Sequence, residues 1–343
     1  MESVVRHRRG ASHGIPRLAS IRVSSQGLEP PLPALHRHAV WGRPTRPDRR
    51  GEGHGSPRSA RSSIPEAEVT CFKLTRRVVF SCGHRYWSDR LTADQNRARF
   101  GRFASPFNHG HNYVLDVTAQ GPIDPETGMV VNIKDLDREL QSRIVGPLDQ
   151  KSLNDEIPRF QRCPPTTENL TLYIRDTLAG WSLPVQLTRL RLEETPTLWC
   201  EWHRTGDQER MTLTRSYEFA ASHRLHNPAL SEERNLELYG KCWNPAGHGH
   251  NYVLEVTLEG DPHPETGMLV ELDLFDRVVH EIVVDRYDHK NLNVDVAELK
   301  GLIPTSEVVA QKIWEALEGT LPAKLVRVRL LETARNAFEV ERQ

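Results

Sequence analysis

Between residues 212 and 219 apolar and polar side chains alternate, with Leu213, Tyr217 and Phe219 on one parity and Thr212, Thr214, Ser216 and Glu218 on the other. A period of two predicts a half-buried antiparallel strand. The same period returns at Tyr252, Leu254, Val256 and Leu258, set against Glu255, Thr257 and Glu259. The spacing then lengthens to that of a helix at Leu272, Phe275, Val278, Val279, Ile282 and Val283. A second helix is predicted from a Thr305 cap through Val309, Ile313, Trp314 and Leu317. Val326, Val328 and Leu330, interleaved with Arg327 and Arg329, make a third strand, and the residues around Phe338 make a fourth. The order is therefore strand, strand, helix, helix, strand, strand, with a long loop at 224–247 between the first two strands.

This unit occurs twice. His84-Arg85 matches His223-Arg224, residues 109–115 (His-Gly-His-Asn-Tyr-Val-Leu) match 248–254, and Pro125 to Met129 match Pro264 to Met268. Asp149 matches Asp288, Pro165-Thr166 matches Pro304-Thr305, Glu168 matches Glu307, and Glu193 matches Glu332. The offset read from these pairs is 139 throughout, which predicts no net insertion between the copies. The expected organisation is a leader over 1–67, a first domain over 68–205 and a second over 210–343, of α+β class with antiparallel sheets.

Charge changes the picture only at the start of the chain. The formal net charge is −1, but Met1 to Pro65 holds twelve Arg, no Lys and four acidic residues, about +8. With one aromatic, Trp41, and many Pro, Gly and Ser, this segment cannot bury enough apolar surface to offset its ordering entropy, so disorder is expected. Its Arg and Ser content also fits an organelle transit peptide, without the amphipathic helix that usually accompanies one, and a translated leader upstream of the true start fits equally. No apolar run approaches the roughly 18 residues of a membrane span. The five cysteines, Cys71, Cys82, Cys163, Cys200 and Cys242, are odd in number and do not recur at matched positions. A reducing, cytoplasmic setting is expected, with no nucleic-acid or membrane partner.

The candidate chemistry gathers in Gly240 to Asn251. His248 and His250 stand two apart on a strand, so both imidazoles face one point, and His223 ends the preceding strand. Three neutral imidazoles leaving an open position suit a catalytic metal, zinc above iron or nickel. His84, His109 and His111 repeat the pattern as a second candidate site. Cys242 follows Lys241 in a polar loop six residues before a ligand, where a nearby metal and ammonium would favour the reactive thiolate. Asp288-His289 offers a carboxylate beside an imidazole, a proton-transfer pair. Glu332, at a strand end, can accept two parallel N–H bonds from a planar guanidine-like edge. In the first copy Phe103 stands at the position of Cys242 and Gln150 at that of His289.

These motifs resemble the 6-pyruvoyl-tetrahydropterin synthase family: Cys-x5-His-Gly-His, an upstream Ser-His-Arg, Pro-Glu-Thr-Gly-Met, Asp-His-Lys-Asn-Leu, Pro-Thr-Ser-Glu and a terminal Leu-Glu-Thr occur in the family's order. The resemblance is full over about 211–341 and weakened over 70–203. It implies the tunnelling fold, in which three units close a barrel, and 7,8-dihydroneopterin triphosphate as substrate. It further implies zinc on His223, His248 and His250, Cys242 as base, Asp288 and His289 as proton relay, and Glu332, Thr305 and Glu307 on the pterin. The related 6-carboxytetrahydropterin synthases carry Cys-x3-His-Gly-His, so the longer spacing favours the pyruvoyl branch. The 6-carboxytetrahydropterin synthase activity and a non-catalytic pterin- or metal-binding regulator are the alternatives. In the family the cysteine of one unit meets the Asp-His pair of its neighbour, so a homo-oligomer is expected, a trimer of two-domain chains. Like domains are expected to group together, which would keep Cys242 away from Asp149-Gln150.

Overall fold

The structure is a computed structural model that describes residues 70–342. The leader expected over 1–67 lies outside the described residues. The described residues form ten strands: β1 (Phe72–His84), β2 (His109–Gly121), β3 (Lys151–Ser152), β4 (Gln186–Thr195), β5 (Leu198–Thr205), β6 (Gln208–His223), β7 (His248–Glu259), β8 (Lys290–Asn291), β9 (Lys324–Thr333) and β10 (Asn336–Glu341). They form one sheet in the order β10-β9-β7-β6-β5-β4-β2-β1-β3, with β8 attached to β6. The sheet is antiparallel except where the short β3 and β8 run parallel to β1 and β6.

Alternation along the strands decides which face is covered. Tyr217, Phe219, Tyr252, Leu254, Val256, Val328 and Leu330 are buried beneath the Leu272–Val279 and Ser306–Leu317 helices, with Phe275, Val309 and Ile313 completely enclosed. The first domain repeats this with Tyr113, Leu115, Val117, Leu190 and Leu192 under the Ile133–Leu140 and Thr167–Leu178 helices. Thr305 caps its helix as expected, accepting from the Val308 amide, and Thr166 does the same from Asn169.

Four local readings are corrected. Loop 224–247 contains a helix, Glu232–Tyr239, capped by Ser231. A register shift in β9 pairs Leu258 with Leu325, so Leu325 and not Val326 faces the core. The offset is also not constant. The Thr167–Leu178 and Ser306–Leu317 helices start 139 residues apart (306 − 167), but β4 and β9 start 138 apart (324 − 186). The counterpart of Glu332 is therefore Glu194, and Glu193 corresponds to Leu331.

The fourth correction concerns the relation of the domains. β5 and β6 form a hairpin from Leu198↔Arg215 to Thr205↔Gln208, so the second domain adjoins the first in one continuous sheet. Tyr86 and Phe100 of the first domain belong to the core cluster of the second. Like domains do not stand apart from unlike ones in this chain: the neighbour of the second domain is the first. The sheet of a single chain remains open, ending at β10 on one side and at the β1/β3 edge on the other.

Candidate functional site

Strand pairing builds the triad. His223 is opposite His248 and Ala221 opposite His250 across the β6–β7 ladder, so the three imidazoles share the face that carries Phe219 and Tyr252. Nε2 of His223 lies 3.2 Å from Nε2 of His248, and one ring nitrogen from each of the three falls within 4.8 Å of the others. Nδ1 of His223 faces the Pro304 carbonyl at 2.8 Å, which directs Nε2 into the site. That is the outer-shell bond by which a ligating histidine is oriented. Burial holds the His223 and His250 imidazoles below their usual pKa and so keeps them neutral. Nε2 of His250 is buried without a hydrogen-bond partner. Convergent, neutral and orphaned nitrogens fit a divalent metal of zinc's preferences.

Glu332 completes this face. Its Oε1 lies 3.8 Å from Nε2 of both His223 and His250 and accepts from Ser306 Oγ at 2.8 Å. Ser306 and Asn336, together with the nearby imidazoles, hold the carboxyl below its usual range despite burial, which acts the other way and is the largest single influence. Glu332 thus faces the three imidazoles, a setting that strand position alone does not reveal. Cys242 sits half-buried in a short 3-10 turn, Gly240–Trp243, immediately after the Glu232–Tyr239 helix. Its backbone carbonyl accepts from the Leu225 amide at 2.9 Å, which ties the turn to the end of β6. Burial raises the thiol's pKa and the Glu332 charge adds to this. The favourable cation expected from sequence is therefore not supplied by the protein alone.

Asp288 and His289 adjoin the end of β6, where His289 lines an open cavity with Ser222, Gly249, His250 and Asn251. Nδ1 of His289 meets Asp288 Oδ2 at 2.7 Å, Asp288 Oδ1 accepts from the Ala220 amide at 2.7 Å, and the His289 amide donates to the Ala220 carbonyl at 2.6 Å. Those backbone bonds, with His289 second, hold the Asp288 carboxyl below its usual range. His289 has φ of 56°, and Gln150 repeats it at 60°. Because β7 occupies one edge of β6, β8 and this pair must use the other edge, the one that β5 also uses. His289 is 83% exposed there. Thr305 and Glu307 open the Ser306–Leu317 helix; Thr305 is partly covered and Glu307 exposed.

The first domain keeps the triad. Nδ1 of His84 faces the Pro165 carbonyl at 2.9 Å, and burial lowers the imidazole's pKa to about 4. Nε2 of His84 and of His111 are buried and unpartnered, and His109 completes a second convergent group. Glu194 Oε1 is 3.5 Å from His111 Nε2, and Glu194 Oε2 accepts from Thr167 Oγ1 at 2.5 Å, repeating the Ser306–Glu332 contact. Glu193 points to the other face and pairs with Arg191. Phe103 occupies the turn where the second domain has its cysteine.

A twofold repeat of an antiparallel α+β unit, each copy bearing three histidines and a glutamate at one sheet end, defines a tandem protein with two histidine groups that could hold a metal. The family model for 6-pyruvoyl tetrahydropterin synthase matches residues 73–205 and again 212–343, and the chain belongs to that family. Curated relatives named 6-pyruvoyl tetrahydrobiopterin synthase include those of Poecilia reticulata, 44% identical over 125 residues, and Homo sapiens, 43% identical over 132 residues. These alignments cover 36% and 38% of this chain and 85% and 91% of the relatives. A 6-carboxy-5,6,7,8-tetrahydropterin synthase of Aquifex aeolicus is 28% identical over 160 residues, 38% of this chain and 98% of the relative. The solved Caenorhabditis elegans 6-pyruvoyl tetrahydropterin synthase is 38% identical, with a TM-score of 0.38, over 39% of this chain and 96% of that one. Each relative thus matches a length near that of one unit. Among the described residues no helix is long and apolar enough to cross a membrane.

Proposed function

We propose that the second domain, residues 210–343, converts 7,8-dihydroneopterin triphosphate to 6-pyruvoyl-tetrahydropterin with elimination of triphosphate. The convergence of His223, His248 and His250 beside Glu332 and the Cys242 turn carries this reading. The three imidazoles would hold zinc, which when bound supplies a Lewis acid that acidifies the C–H beside the substrate's side-chain hydroxyls.

Cys242 is the group that takes this proton. Its thiol, raised by burial and by Glu332, becomes the stronger base once deprotonated. Glu332, fixed by Ser306, accepts N–H groups from the pterin edge, and Thr305 and Glu307 line the same helix start. Asp288 and His289 form a bonded acid–imidazole pair able to hold and release a proton. His84, His109 and His111 form the second candidate zinc site, where Phe103 leaves no base. Five free cysteines support a reducing, cytoplasmic setting.

Product analysis with 7,8-dihydroneopterin triphosphate tests the reading. Triphosphate and a pyruvoyl pterin are expected. A carboxy pterin would transfer the chain to the chemistry named for its Aquifex relative, and binding without turnover would leave a regulator.

A further inference from the structure

The two histidine groups differ in what their carboxylate has left to offer. In the second domain Oε1 of Glu332, the oxygen that faces the imidazoles, already accepts from Ser306 at 2.8 Å, and Asn336 donates to Oε2 at 3.4 Å. In the first domain both donors go to the far oxygen: Thr167 Oγ1 meets Glu194 Oε2 at 2.5 Å, and the Tyr86 hydroxyl reaches it at 3.4 Å. Among the described residues Oε1 of Glu194 has no hydrogen-bond donor, and it lies 3.5 Å from Nε2 of His111 and 4.0 Å from Nε2 of His84. Both nitrogens are buried without a partner. At His84 the Nδ1 proton is directed to the Pro165 carbonyl, so Nε2 presents a lone pair. Acceptors turned on one another in a buried space are costly unless a cation lies between them.

The enclosure differs as well. Tyr86, two residues after His84, is buried where the second domain has Leu225, and Leu198, four residues after Glu194, is buried where it has Asn336. Phe103, at the position of Cys242, has its ring centre 6.3 Å from that of Tyr86. The carboxylates follow their surroundings: the side chain of Glu194 is 7% exposed and that of Glu332 17%. Around the same three histidines the first copy has lost a thiol and an amide and gained a phenol aimed at the carboxylate.

We propose that His84, His109, His111 and Glu194 are the four ligands of a closed, structural zinc site, while His223, His248 and His250 keep a fourth position open. Two ligands of a tetrahedral zinc ion stand roughly 3.3–3.5 Å apart, and Glu194 Oε1 meets that separation against His111 at 3.5 Å. Thr167 and Tyr86 hold the other oxygen and so keep Oε1 turned to the imidazoles. Closed sites contribute to folding, whereas open ones do chemistry. The ligands come from the end of β1, the start of β2 and the end of β4, so the ion pins three neighbouring strands at one end of the sheet. Engaged in this way, Glu194 has no edge to offer a pterin. The inference rests on the metal-binding part of the proposed function and not on its lyase chemistry.

Full-length chains with one site each separate the two groups: His248→Ala leaves the first and His109→Ala the second, with unchanged circular dichroism as the folding control. Each is loaded with Co²⁺, whose visible bands report the coordination of a zinc site, and titrated with azide, which binds where a metal position is open. The bands of the His248→Ala chain should not move, and those of the His109→Ala chain should. Adding Glu194→Gln to the His248→Ala chain should make its bands respond to azide. It should also weaken cobalt binding against a competing chelator by more than the roughly 10–100-fold that loss of an outer-shell partner costs. An azide response in the His248→Ala chain, or an affinity that Glu194→Gln leaves unchanged, overturns the proposal. Cobalt taken up by the His109→Ala chain alone also overturns it and leaves the second site standing. Cobalt in neither chain sinks the metal reading of both groups.

Discussion

Glu168 accepts the Leu269 amide at 2.8 Å, so a carboxylate of the first domain is sealed beneath a loop of the second. Burial raises its pKa to about 7, against the Leu269 bond, with the Glu194 charge adding to the rise. A pKa higher in the folded chain means that the folded state binds the proton more tightly. The stability this contributes is complete below the unfolded pKa of about 4.3 and is lost as pH rises through about 7. Glu168→Gln keeps an acceptor for Leu269 and should flatten the pH dependence of Tm between those limits, raising stability above neutrality by roughly 1–3 kcal/mol. Thermal melts of both proteins across that range measure it. A parallel pH dependence in the variant would show that Glu168 is not the titrating group.

Metal content follows from the triads. His248→Ala should remove one equivalent of zinc per chain, measured by elemental analysis after dialysis, because two imidazoles rarely retain a catalytic ion. Triphosphate release should disappear with it and also on chelation. Full turnover from a metal-free preparation would contradict the proposed chemistry.

Cys242→Ala should retain zinc and pterin binding and lose turnover by roughly 10²–10⁴-fold, the contribution of a positioned base. Glu332→Ala should chiefly weaken substrate binding. If the cysteine variant releases triphosphate at the normal rate, another group takes the proton.

The shifted register gives a comparison between adjacent residues. Glu194→Gln should alter metal affinity at the first triad, because Glu194 lies 3.5 Å from His111. Glu193→Gln, on the opposite face, should leave that affinity alone and change stability by about 0–1 kcal/mol through its Arg191 pair. Calorimetric zinc titration of both variants in a His248→Ala background reads this; equal effects would remove the distinction.

Both triads were legible because residues two apart on a strand share a face, so His-Gly-His reads directly as two convergent ligands. Glu194 was hidden by its neighbour. An offset carried over from upstream identities pairs Glu332 with Glu193, although Arg-Leu-Arg-Leu-Glu-Glu-Thr at 189–195 against Arg-Val-Arg-Leu-Leu-Glu-Thr at 327–333 gives 138. A single-residue slip exchanges the faces of a strand, so the error moved a carboxylate from the imidazole triad to the opposite face. The Glu232–Tyr239 helix escaped notice because Leu236 and Leu238 are exposed and form no buried stripe. The order of the domains lay beyond strand periodicity, which reports the faces of a strand and not what lies past its edge. One signal was present: Leu198 to Trp202 are five consecutive buried residues, as expected of a strand enclosed on both faces.

Tyr86 and Phe100 lend their rings to the core of a domain to which they do not belong by sequence. Excising the first copy would therefore strip aromatic cover from Met268, Leu272 and their neighbours, and would bare residues 208–215 of β6 as an unpaired edge open to aggregation. The two copies should melt in one cooperative transition and not as separable modules. A repeat without its cysteine is then kept by the physics of folding: losing the first copy's chemistry costs the chain one catalyst, while losing its polypeptide costs it the other.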